Sequence, residues 1–206
     1  DDLVPWVDAT YRTLGSRDHR YIVGRSAGGF STMRIARRHW DVVGGIGTQV
    51  GALATEVISG AVPLILGDYP DGPPYEFTPT AGIWSMYLFS WCAALTPNMT
   101  NQPWYVDLII DEDGNLDPDV WQRFSSNNAT RWAVEMATAG GNIDIFMGAG
   151  DQDFYLPFTT VFADILDGLE LPYTLQIFHG DHDNPPPSIR FKSHITYFFP
   201  LNATLE

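Results

Sequence analysis

Basic residues are scarce in this chain. Lys and Arg number 11 against 25 Asp and Glu, Lys192 is the single lysine, and the net charge is −14. Phosphate-backbone binding needs clustered cations, so nucleic acid is excluded as a partner. Docking on an anionic membrane surface is excluded by the same charge. The acidity gives solubility and names no substrate. Together with the low lysine count it leans towards a secreted or periplasmic protein. Cysteine is scarcer still: Cys92 stands alone. That rules out an internal disulfide and a cysteine metal cluster. Within Leu88-Phe89-Ser90-Trp91-Cys92-Ala93-Ala94-Leu95 it reads as a small buried hydrophobe. No apolar run reaches the length of a membrane span. No signal-peptide pattern is present, and Asp1-Asp2-Leu3-Val4-Pro5-Trp6 reads as the interior of a domain, so that end says nothing about compartment.

What is there is a globular composition. Hydrophobic residues make up 45% and charged residues 17% of 206 positions, enough for one domain with a substantial core. The most informative stretch is Tyr21-Ile22-Val23-Gly24-Arg25-Ser26-Ala27-Gly28-Gly29-Phe30. An apolar run ends in Gly-x-Ser-x-Gly and passes into a helical pattern. A bare five-residue match reads equally well as a glycine-rich turn, but the strand before and the helix after make it a nucleophile elbow. Such a turn holds the serine in a strained conformation with its hydroxyl exposed and admits only small neighbours, here Gly24, Gly28 and Gly29. The N–H groups opening the helix point where an oxyanion would develop.

Along the chain, Leu3 to Thr13 has helical spacing, Tyr21 to Gly24 is a short buried strand, and Gly28 to His39 is a helix with Arg34, Arg37 and Arg38 towards its C-terminal half. Val42 to Gly47 is a second strand. Strand, helix and strand in alternation indicate a parallel sheet. Between residues 52 and 139 Pro63, Pro70, Pro73, Pro74, Pro79, Pro97 and Pro103, with many aromatics between them, break the pattern. This reads as an irregular insertion or lid within a single domain, relieved by a helix from Asp117 to Phe124 and another from Asn127 to Thr138, ended by Gly140-Gly141. Alternation resumes with a strand at Ile143 to Met147, a helix at Pro157 to Gly168, a strand at Tyr173 to Phe178 and a helix from Ser188 to Phe199.

A serine nucleophile needs a base, and the base needs a carboxylate to orient it. In the order serine, acid, histidine, each should lie in a loop after a late strand. The acid candidates are Asp151, the first choice, and Asp153, the alternative, in Gly148-Ala149-Gly150-Asp151-Gln152-Asp153. Either could instead cap the next helix. His182 is favoured as base over His179, because Gly180 stands before it and a helix after it. His19, His39 and His194 read as structural. His179, Asp181, His182 and Asp183 are dense enough to suggest a metal, but no HExxH pattern or second ligand cluster accompanies them, so no metal or other cofactor is expected. The run Asp111 to Asp117 hints at a calcium loop but lacks its glycine position and closing glutamate, and a turn is the better reading. Three sequons begin at Asn98, Asn128 and Asn202; they matter only in a secreted eukaryotic protein.

Three stretches resemble the esterase D-like branch of the α/β-hydrolase superfamily. They are Leu3-Val4-Pro5-Trp6-Val7 with Gly24-Arg25-Ser26-Ala27-Gly28-Gly29; Leu108-Ile109-Ile110-Asp111 with Gly114-Asn115-Leu116 and Val120-Trp121-Gln122-Arg123; and Gly148-Ala149-Gly150-Asp151 with Gly180-Asp181-His182-Asp183. The resemblance implies an α/β-hydrolase fold and a serine carboxylic-ester hydrolase acting on a small-molecule ester. Ser26 would be the nucleophile, Asp151 the acid, His182 the base, and the Ala27 N–H one oxyanion donor. Acyltransferases share this triad, and a non-catalytic relative would share the fold. Family members carry several strands before the helix that Leu3 opens. The expectation is therefore a C-terminal portion of the fold, completed by a longer polypeptide or by a second chain.

Overall fold

The structure, a computed structural model, describes residues 2–78, 80, 82–139 and 142–199. The chain divides into two compact units, Asp1–Ala54 with Trp132–Glu206, and Thr55–Arg131.

The first unit is a parallel sheet flanked by helices. Strands β1 (Tyr21–Arg25), β2 (Gly45–Gln49), β3 (Asp144–Gly150) and β4 (Thr174–Phe178) lie in the order β1-β2-β3-β4. Tyr21 faces Gly45, Gly45 faces Asp144 and Phe146 faces Thr174. The crossovers run through helices α2 (Ala27–His39) and α7 (Leu156–Gly168), with α8 (Pro187–Phe198) after β4. The expected second strand moves from Val42–Gly47 to Gly45–Gln49. Val42 and Val43 are spent closing the end of α2, both donating to the His39 carbonyl, at 2.9 and 3.1 Å.

β2 is buried along its whole length, and its glycines have a packing cause. A Cβ on Gly45 would lie 2.5 Å from the Tyr21 ring and 3.0 Å from the Phe198 ring. A Cβ on Gly47 would overlap the His194 imidazole. On the other side Gly29 of α2 packs against Gly51 and Thr48. Gly47 and Thr48 are successive strand residues, so α8 and α2 cover opposite faces of the sheet. The core includes Met33, Ile46, Ile145, Met147, Phe162 and Leu166, all sealed from solvent. Arg37 of α2 grips Glu135 through two bonds of 2.7 and 2.9 Å, a half-exposed bidentate pair contributing about 1 kcal/mol. Helix α1 (Leu3–Thr10) buries no residue and leaves Leu3, Trp6 and Tyr11 exposed. Its Asp8 holds Arg20 at 2.8 Å, just before β1.

The second unit is helical where the sequence reads as irregular. It contains a 3₁₀ turn at Thr55–Ala61 and helices α3 (Val62–Gly67), α4 (Ile83–Leu95) and α5 (Pro118–Ser126), with α6 (Ala129–Thr138) leading back to the sheet. α4 buries Leu88, Trp91, Cys92 and Leu95, one helical face. The run is apolar on nearly every side, so no 3.6-residue period stands out in it. Burial pushes the Cys92 thiol up to about 11. Asp117 caps α5 by accepting from the N–H groups of Asp119 and Val120, both at 2.9 Å. The Asp111 carboxylate accepts from Asp113 and Asn115 at 3.0 and 2.8 Å, an Asx turn with Gly114 at φ +79°. Asn128 is buried and takes the Arg131 N–H, so its sequon is closed in the folded chain. The Gly140-Gly141 helix stop and the Asn202 sequon lie outside the described residues. No described helix is long and apolar enough to cross a membrane.

Candidate active site

The elbow forms at the C-terminal end of β1. Ser26 sits at φ 54°, ψ −124°, a conformation that side chains rarely adopt. Two bonds hold it there: the Ser26 N–H donates to the Gln49 carbonyl and its own carbonyl accepts from Gly29 N–H, both at 2.9 Å. Gly24 is required by packing, since a Cβ there would overlap the Gly28 carbonyl and come within 2.5 Å of Thr32 Oγ1. Gly29 is also confined, 3.0 Å from Gly51 Cα. Gly28 is not: a Cβ there meets nothing within 4 Å, so the expectation that all three glycines are sterically required holds for two of them. Ala27 opens α2 beside the serine and is exposed, leaving its N–H available as an anion donor.

The loops after β3 and β4 carry the acid and base candidates and pack directly on one another. A Cβ on Gly150 would overlap the Gly180 carbonyl, and Gly180 itself is at φ +146°. Asp151 N–H donates to Phe178 and Gln152 N–H to Gly180, both at 2.9 Å. This apposition makes two acid–histidine pairs of unlike character. Asp153 Oδ2 lies 3.0 Å from His182 Nδ1; its side chain is fully buried and that of His182 is 18% exposed. Asp151 instead meets His179 Nδ1 at 2.9 Å and the Gly180 N–H at 2.9 Å, with side chains 44% and 83% exposed. The carboxylate on His182 is therefore Asp153, not Asp151. The Asp153 carboxylate turns inward, its Oδ1 also accepting from Tyr155 N–H at 2.7 Å, while Asp151 turns to solvent.

The electrostatics follow the geometry. The Gly180 N–H and then His179 hold the Asp151 carboxyl below the usual carboxylate range, and Asp151 raises His179 in return. Asp181 is lowered by the N–H groups of Asp183 and Asn184, as a turn carboxylate is. Among the described residues no group of three or more His, Cys, Asp or Glu side chains is arranged to hold a metal.

Several residues at the site carry no sequence signal. Arg25, the variable position inside Gly-x-Ser-x-Gly, donates from Nη2 to the His182 carbonyl at 2.6 Å and also reaches Asp183. Arg190 of α8 donates to the same carbonyl at 2.8 Å. Phe154 stacks on the His182 ring at 5.0 Å and Tyr155 meets it edge-on at 5.3 Å. The loop bearing His182 is thus tied to the residue preceding Ser26. No hydrogen bond joins Ser26 Oγ to His182 among the described residues; such contacts are often long before substrate arrives.

The parallel sheet, its flanking helices and the elbow make an α/β-hydrolase fold. A family model described as "Putative esterase" matches residues 1–166, and the chain belongs to that family. No curated protein matches the chain. Among solved structures, the fluorophosphonate-binding serine hydrolase FphF of Staphylococcus aureus is 16% identical with a TM-score of 0.61, the match covering 96% of this chain and 60% of that one. The S-formylglutathione hydrolase FrmB of Staphylococcus aureus is 15% identical with a TM-score of 0.56, covering 94% and 56%. A ferulic acid esterase is 17% identical with a TM-score of 0.55, covering 96% and 57%. These likenesses speak for the fold, and the chain spans somewhat over half the length of each.

Proposed function

We propose that the protein is a serine carboxylic-ester hydrolase with Ser26 as nucleophile, His182 as base and Asp153 as the orienting acid. The observation that carries this reading is the buried Asp153 on His182 Nδ1, on a loop tied through Arg25 to the strained serine turn. Asp153 fixes the tautomer with its proton on Nδ1 and leaves Nε2 as the basic nitrogen. Ser26 Oγ attacks the ester carbonyl as its proton passes to His182, and the tetrahedral oxyanion takes the Ala27 N–H. Collapse expels the alcohol with that proton. Water, deprotonated by the same histidine, then releases the acid and restores the serine. Small-molecule carboxylic esters are the substrate class. Among the described residues β1 pairs on one edge only, with β2. We place the completing strand, from a longer polypeptide or a partner chain, on its open edge, with a second oxyanion donor.

The test is hydrolysis of short and medium p-nitrophenyl esters beside Ser26→Ala, on protein of known intact mass and oligomeric state. Turnover that vanishes in the variant supports the reading. Turnover unchanged in Ser26→Ala, or a folded protein that neither turns over nor reacts with a fluorophosphonate, sinks it.

A further inference from the structure

The face of the sheet opposite α2 carries a cavity away from the proposed triad. Between β2, β3, β4 and α8 lies a cavity of about 210 Å³, lined by Gln49, Phe146, Phe178, Ile189, Arg190 and His194 among others. Its floor is polar and sealed: Gln49 is 1% exposed, Arg190 4% and His194 1%. Yet among the described residues the Gln49 amide nitrogen and oxygen, Arg190 Nε and Nη1, and both His194 ring nitrogens have no hydrogen-bond partner. Buried polar atoms are nearly always paired, so a cluster left open around a cavity points to a ligand.

The sign of the ligand follows from the donors. Arg190 makes one protein hydrogen bond, Nη2 to the His182 carbonyl at 2.8 Å, and no ion pair is found for it among the described residues. Arg25, opposite Gln49 in the β1–β2 register, brings a second cation near and has its own Nε buried without a partner. Burial, and after it the Arg25 guanidinium, lowers the pKa of Arg190. Asp153, Asp183 and Asp181 act on Arg190 in the opposite sense, but none is in direct contact with it, and a buried guanidinium with two nitrogens unpaired is a costly arrangement in a protein interior. It asks for an anion. The walls narrow the class further. Phe146, Phe178 and Ile189 are apolar, and the Arg190 guanidinium already rests 5.2 Å from the Phe178 ring centre. A strongly hydrated inorganic ion gains nothing from such walls. An organic acid with a compact apolar body gains from both floor and walls.

We infer that this cavity binds a small monocarboxylate, its carboxylate on Arg190 and the Gln49 amide, its apolar body against Phe146, Phe178 and Ile189. The site lies on the other side of the strand end that carries Ser26; its side chains are not those of the proposed triad, although the Gln49 carbonyl holds the Ser26 N–H and Arg25 and Arg190 both donate to the His182 carbonyl. It stands whether or not the chain hydrolyses esters.

Benzoate is the probe, titrated into the full chain by calorimetry and by NMR of the histidine rings at neutral pH, with inorganic phosphate in parallel. Saturable binding that shifts His194, weakened about tenfold or more by Arg190→Met or Gln49→Leu, is the expected result. Ile189→Trp, placed at the exposed mouth, should block binding without touching the buried floor. The inference is overturned if benzoate shifts His182 but not His194, if the floor variants bind as tightly as the parent, or if phosphate binds as tightly as benzoate. Binding unchanged in Ile189→Trp would overturn the location even where Arg190→Met fails to fold.

Discussion

At the residue scale the choice between two aspartates is the decisive one. Asp153 is buried on His182 and Asp151 is exposed on His179. Asp153→Asn should therefore lower kcat by a factor of about 10³ to 10⁴, by stabilising the wrong imidazole tautomer. Asp151→Asn should leave kcat within about threefold, yet return His179 towards its ordinary titration, because the carboxylate that raises it is gone. Ester hydrolysis beside histidine NMR titrations of both variants checks this. Equal losses of activity in the two would contradict the assignment.

At the scale of elements, the elbow and its flanking glycines make separate claims. Gly24→Ala drives a Cβ into the Gly28 carbonyl, so the variant should lose Ser26 labelling by a fluorophosphonate and show a lowered melting temperature. Gly28→Ala meets open space in the first turn of α2. It should keep the fold and stabilise by about 0.5 kcal/mol, since alanine gives up less backbone entropy in a helix than glycine. Thermal melts of the pair test the distinction. In the second unit, Asp117 caps the N-terminus of α5 through its side chain, and Asp117→Ala should cost about 1 kcal/mol by denaturant unfolding. These elements were unequally legible in the sequence. Strand β1, helix α2 and the late β–α alternation were readable because each carries its own period and its own turn signals. Helix α4 was not, because a segment buried among other helices is apolar around most of its circumference and loses the period that would announce it.

At the scale of the whole molecule, His194 ties stability to pH. It is buried beneath β2 and β3 with Phe146 edge-on at 4.6 Å, and burial lowers its pKa from 6.5 to about 4. Arg190 lines the same cavity. The unfolded chain takes up this proton first as pH falls, so stability is full above pH 6.5 and declines from there to about pH 4. The loss reaches about 3 kcal/mol for this group. His194→Phe should flatten that part of the stability curve measured by denaturant unfolding between pH 7 and 4. An unchanged slope would show that other groups carry the acid sensitivity.

The sequence by itself determined the class of this protein. A strand, a Gly-x-Ser-x-Gly turn and a helix are contiguous, so local spacing states the elbow. The parallel sheet followed from strand and helix in alternation, and the strand register agrees with it. Only tertiary structure decided which carboxylate meets His182. Asp151 and Asp153 are two residues apart in one loop, and either satisfies every local rule for the role. The close approach of Gly150 to Gly180 turns one inward and leaves the other in water. The same holds for Arg25, Gln49, Arg190 and His194. Each is unremarkable in its own segment, and they share a site only because register and helix packing bring four distant stretches to one face of the sheet.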